Sequence, residues 1–238
     1  MFAPLRLLLH SSTAETVDAL QKAVVCGDVI TIASGAPGRG ECVVICGGMQ
    51  LTICVTETCD IRGFKNIFCN VDEALIGSVI SIGLGDHLEG GERVPAVVKG
   101  MLSASVIIGQ MTDAFAAMWL PANTLSGFDY FARVVREYSE GGVFPVLALV
   151  NFKKSADDWI RSSGLEWLAG QELVVAPSYL SDSELMRRIV RVAHDLAVGG
   201  AMTSANELSG LEDDESIMLV PEVGQRILNM QTKPILVR

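Results

Sequence analysis

Residues 78–152 constrain the fold of this chain more than any other stretch. Apolar runs alternate there with segments of helical period. Ser78-Val79-Ile80-Ser81-Ile82-Gly83-Leu84 leads into a helical pattern from Glu92 to Met111, and then into a second apolar run from Ala114 to Pro121. A further helical pattern covers Ser126 to Ser139, and Phe144 to Phe152 closes the unit as a third apolar run. Runs without polar alternation, spaced by helices, predict strands of a sheet with little solvent on either face. The expected order is β-α-β-α-β.

The flanks read in the same way. Residues 5–10 form a short apolar strand, and Ser12-Thr13-Ala14-Glu15 has capping-box spacing ahead of a helix that reaches Val25. The clearest local signal is Glu41 to Glu57, two β-rich runs joined by Gly47-Gly48, which suits a primed hairpin turn. That turn sets Cys46 opposite Met49, Val44 opposite Leu51 and Cys42 opposite Ile53 on one face. Gln50, Thr52, Cys54 and Thr56 fall on the other. Cys59 to Asp72 reads as an irregular link. Gly164 to Pro177 reads as a strand interrupted at Gly170, and Ser181-Asp182-Ser183-Glu184 caps a helix ended by Gly199-Gly200. Ile217–Val220, Ile227–Met230 and Ile235–Val237 read as short edge strands.

Composition narrows the function classes. Half of the 238 residues are apolar, and the formal net charge is −10. An acidic surface repels phosphate backbones and anionic lipid, so neither a nucleic-acid nor a membrane partner is expected. The stretch Val94 to Met111 has near-spanning length but carries Pro95, Lys99 and Gln110, and reads as a buried helix. The first ten residues lack the order of a signal peptide, so a cytoplasmic protein with its six cysteines as thiols is expected.

No motif carries chemistry outright. Cys42, Cys46, Cys54, Cys59 and Cys69 lack the paired spacing of zinc ribbons. Cys42 and Cys46 lie about 13 Å apart along one strand, and Cys54 faces the other way. No metal and no cofactor are therefore expected. The turn Gly83 to Glu92 places Leu88 where a dinucleotide loop needs its third glycine, and its carboxylates oppose a phosphate. His10, His87 and His194 have no metal-ligand spacing, and the catalytic residues are unknown. The candidate ligand-binding residues stand at strand ends: Trp119 and Asn123 close one run, Asn151, Lys153 and Lys154 close another, and Glu172 lies in a third. Parallel strands would bring the first two sets to one sheet edge, the usual ligand position in open α/β sheets.

Ala116-Ala117-Met118-Trp119-Leu120-Pro121-Ala122, an aromatic-rich helix, Phe144-Pro145-Val146 and Ser163-Gly164-Leu165 through Gly170-Gln171-Glu172-Leu173 together resemble the bacterial family called domain of unknown function 4261. Ala148-Leu149 departs from the family pattern, which has a tryptophan there. The resemblance implies an α+β sandwich in a cytoplasmic protein and implies no activity.

The expected fold is an α/β (α+β) two-layer sandwich, with a mixed sheet and helices mainly on one face. Two ferredoxin-like halves are a variant of it. A strand–helix–hairpin half, residues 1–72, and a second half, residues 73–238, would share one sheet as a single unit. The leading function is a non-enzymatic binding or interaction protein, with a homo-oligomer or an unknown protein as partner. The alternative is a small-molecule enzyme with a cleft near Trp119, Asn151 and Glu172. A deep pocket there would favour the enzyme, and a flat apolar patch would favour interaction.

Overall fold

Leu5, Leu7, Leu8 and Leu9 are 0 % exposed, so the strand they build needs cover on both faces and at both edges. That strand, β1 (Leu5–Leu9), sits inside a sheet between two strands distant in sequence. The computed structural model describes residues 3–26, 30–212, 215–224 and 226–234. After β1 come α1 (Thr13–Cys26), β2 (Ile30–Ser34), β3 (Glu41–Cys46), β4 (Met49–Thr56), β5 (Lys65–Ile67) and β6 (Ser78–Leu84). α2 (Pro95–Met111), β7 (Ala116–Trp119), β8 (Thr124–Gly127), α3 (Phe128–Ser139) and α4 (Val146–Leu149) follow. The remainder is β9 (Asn151–Lys154), β10 (Ile160–Ser163), α5 (Leu165–Ala169), β11 (Glu172–Val175), α6 (Asp182–Gly199), β12 (Asn206–Ser209), β13 (Glu215–Pro221) and β14 (Ile227–Pro234).

The fold is α/β with mixed sheets, as expected, but the strands do not share one sheet. Among the described residues they divide into an eight-stranded sheet, β2-β3-β4-β6-β1-β7-β8-β5, and a six-stranded sheet, β12-β13-β14-β11-β10-β9. β1 runs antiparallel to both β6 and β7, so these two are parallel to each other across it, with α2 as the crossover. The expected β-α-β unit is therefore split by the N-terminal strand.

The hairpin forms in the expected register, with Cys42 opposite Ile53, Val44 opposite Leu51 and Cys46 opposite Met49. Gly47 (φ 57°) and Gly48 (φ 78°) supply the two left-handed positions that a type I′ turn requires. Both capping boxes also form. The Ser12 and Ser181 amides donate to Glu15 (2.8 Å) and Glu184 (3.0 Å).

Several strand expectations are corrected. Within the run 144–152, Val146–Leu149 is helical, and β9 starts at Asn151 in the other sheet. An apolar run of this length fits a buried helix as well as a buried strand, and Pro145 at its start favours a first helical turn. Likewise Leu165–Ala169 is a helix bracketed by left-handed Gly164 and Gly170, and only Glu172–Val175 is extended. β5 lies inside the stretch read as irregular. β13 and β14 are interior strands rather than edges, because β12 and β11 cover them. The expected strand 235–237 lies outside the described residues.

One large core joins residues of both sheets with one face of α2, α3 and α6. In α3 its contributors are Phe128, Phe131, Ala132, Val135 and Tyr138, at helical spacing. A smaller cluster on the opposite face of the eight-stranded sheet joins Leu8, Val79, Met118 and Leu125 to Cys59, Ile61, Phe64 and Val71. That cluster covers only part of the face. Beyond it, toward β3 and β4, the face is open.

Candidate functional site

The strand-end residues meet only in part. Glu92, Arg93, Pro121, Trp167 and Glu172 line a cleft of about 310 Å³ where the two sheets adjoin. Trp119 lies against it, 2 % exposed, with its ring edge-on to Trp167 (centroids 4.9 Å apart, 89° between planes). Glu172 is already committed. Its carboxylate accepts from Ser162 Oγ (2.5 Å), Gly164 N–H (2.7 Å) and Glu166 N–H (3.0 Å), and so holds the turn that opens α5. Gly164 is fitted to that turn, since a Cβ there would lie 2.7 Å from the Leu149 carbonyl.

The other candidates do not line that cleft. Asn123 is exposed in a left-handed turn (φ 51°), and its carbonyl accepts the Lys65 N–H (2.8 Å). Asn151 and Lys153 pair with Ser163 and Arg161 in the six-stranded sheet, with Lys153 exposed. Trp119 and Asn123 belong to the eight-stranded sheet side, so the expected convergence at one sheet edge does not occur. The helical turn after Pro145 carries the chain into a different sheet before Asn151.

The open sheet face holds a second pocket, of about 340 Å³. One row of side chains crosses it. Glu41 on β3 pairs with Cys54 on β4, Cys54 with Ser81 on β6, Ser81 with Arg6 on β1, and Arg6 with Met118 on β7. Thr52 and Gly83 pair in the next row. Gly83 has no side chain, so it leaves a hollow between the flanking hydroxyls. Arg6 is partly buried, with its Nε buried and without a hydrogen-bond partner. The Cys59 thiol lies close enough to feel its charge. Among the described residues no carboxylate forms an ion pair with it.

Arg6 sits in a leucine run that reads as plain core. Strand alternation was the available signal. Leu5, Leu7 and Leu9 take one face, so the lone charge at position 6 must lie on the other.

Burial pushes the Cys42 and Cys46 thiols up to about 11, and also raises Cys59 and Cys69, with the Arg6 charge partly opposing burial at Cys59. Among the described residues no three His, Cys, Asp or Glu side chains are grouped to hold a metal ion, and no helix is long and apolar enough to cross a membrane. A wider, more open groove of about 800 Å³ lies beside the start of α1. There the Ser12 and Glu15 amides are taken up in the capping box, and Glu57 lines the rim.

No protein-family model matches the chain, and comparisons with curated proteins and with solved structures also find no match.

Proposed function

We propose that this chain is a non-enzymatic binding protein whose ligand lies on the open face of the eight-stranded sheet. The observation that carries the reading is Arg6. The guanidinium is partly buried and pairs with no carboxylate among the described residues, so its charge is left to be balanced from the pocket. It stands among the Thr52 and Ser81 hydroxyls, in a pocket at the small end of the usual range for ligand sites, roughly 300–1,000 Å³. The enzyme alternative is weaker, because the cleft at Glu172 offers a carboxylate already shared among three donors. Asn151 is not in its lining.

Membership in domain of unknown function 4261, residence in the cytoplasm, and a homo-oligomer or protein partner belong to the same proposal. Light scattering at micromolar concentration tests the dimer, and a single 25.4 kDa species overturns it.

Ligand-observed saturation-transfer NMR against a library of small metabolites tests the binding reading. We expect hits that compete with one another and are recovered chemically unchanged. Conversion of a bound compound, abolished by Glu172→Gln in a folded variant, would establish the enzyme instead.

A further inference from the structure

We infer that the open-face pocket takes a small organic monocarboxylate, with the carboxylate seated on Arg6 and its second oxygen within reach of the Ser81 and Thr52 hydroxyls. This rests on the binding reading and names the class of ligand at that same site. The donor set points to an oxyanion. Arg6, Ser81, Thr52 and the Cys54 thiol can all donate, and among the described residues no carboxylate pairs with the Arg6 guanidinium. Guanidinium and carboxylate match as paired planar groups, which a neutral ligand cannot reproduce.

Charge decides between a carboxylate and a phosphate. Among the described residues Arg6 is the one basic side chain lining the pocket, and Glu41 stands on its rim. One guanidinium balances one negative charge. The second charge of a phosphate would face Glu41 on a protein of net charge −10. Ala3 and Leu120 also line the pocket beside its polar groups. That surface suits a short hydrocarbon tail better than a bare inorganic ion.

The test uses the full chain, ¹⁵N-labelled, with the Arg6 Nε–Hε resonance as reporter and acetate, butyrate, inorganic phosphate and acetamide as probes. We expect saturable shifts of that resonance with acetate, tighter binding of butyrate, and at least tenfold weaker binding of phosphate and acetamide. Arg6→Met should weaken butyrate at least tenfold, and Ser81→Ala severalfold. Should Arg6→Met fail to fold, the wild-type resonance and Ser81→Ala still decide. Acetamide binding as well as acetate would overturn the monocarboxylate while leaving a binding protein. Phosphate binding more tightly than butyrate would overturn the charge argument. No shift with any anion, alongside neutral library compounds that bind, would sink this inference alone. Silence from every compound would sink the binding reading with it.

Discussion

Replacing Arg188 by Met tests the most deeply buried charge pair described in the protein. Arg188 on α6 and Glu215 on β13 have side chains 4 % and 3 % exposed, and Arg188 Nε donates to Glu215 at 2.5 Å. Arg188 also donates to the Glu184 carbonyl (2.9 Å), whereas the other Glu215 oxygen accepts the Leu211 N–H (3.1 Å). Removing one partner from a buried pair costs about 3–5 kcal/mol, because the remaining charge is stranded. The bond from Leu211 survives the substitution, so we expect the lower end, about 3 kcal/mol. For a chain of this size that is a fall of about 6–12 °C in Tm. Arg188 holds the Glu215 carboxyl below its ordinary value, mainly by direct hydrogen bonding. The stability this supplies is complete above the unfolded value near 4.5 and is lost as pH falls through the lowered folded value. In Arg188→Met the stranded carboxyl is instead relieved by protonation. The gap between wild type and variant should therefore be widest near pH 7 and narrow on acidification. Urea denaturation at a series of pH values measures it, and Arg188→Met/Glu215→Leu should recover to within about 1 kcal/mol of wild type. A gap below 1 kcal/mol, or one that ignores pH, would refute the reasoning.

Other expectations follow from single contacts. Glu172→Ala leaves the Gly164 and Glu166 amides without their acceptor and should cost about 2–4 kcal/mol in chemical denaturation. A fully stable variant would mean that this carboxylate is free for chemistry and would revive the enzyme. Gly48→Ala should cost about 1 kcal/mol, from left-handed backbone alone. No atom lies within 4 Å of the added Cβ, so the denaturant midpoint should move with an unchanged slope. With thiol values of about 11, Cys42 and Cys46 are about one part in a thousand thiolate at pH 8. Mass spectrometry after brief iodoacetamide treatment of the native protein should find both unmodified, and rapid labelling would contradict their burial.

Local chemistry made some of this legible, and long-range choices hid the rest. Gly47-Gly48 between β-rich runs dictates its turn and register from neighbouring residues alone, and the capping boxes are equally self-contained. The fate of Val146–Leu149 depends on what it packs against, and hydrophobicity alone does not separate a buried turn of helix from a buried strand. The sequence suggests Trp119, Asn151 and Glu172 on one sheet because nothing in it announces that a strand of a second sheet begins at Asn151. Trp119 and Glu172 still meet at the same cleft, through Trp167. Arg6 is visible in the sequence as a lone charge among leucines, but its place at the margin of the segment 57–77, beside Cys59, depends on the tertiary fold.

β1 is the first strand of the chain, yet its neighbours come late. Leu7 lies opposite Ile80 and Ala117, positions 73 and 110 residues downstream. During synthesis these leucines wait for partners until Trp119 has emerged, and the gap between β6 and β7 stays open just as long. Such distant pairing slows folding and leaves raw strand margins available to other chains. Losing the five residues of β1 would therefore cost far more than five residues' worth of structure, because it splits the sheet between β6 and β7.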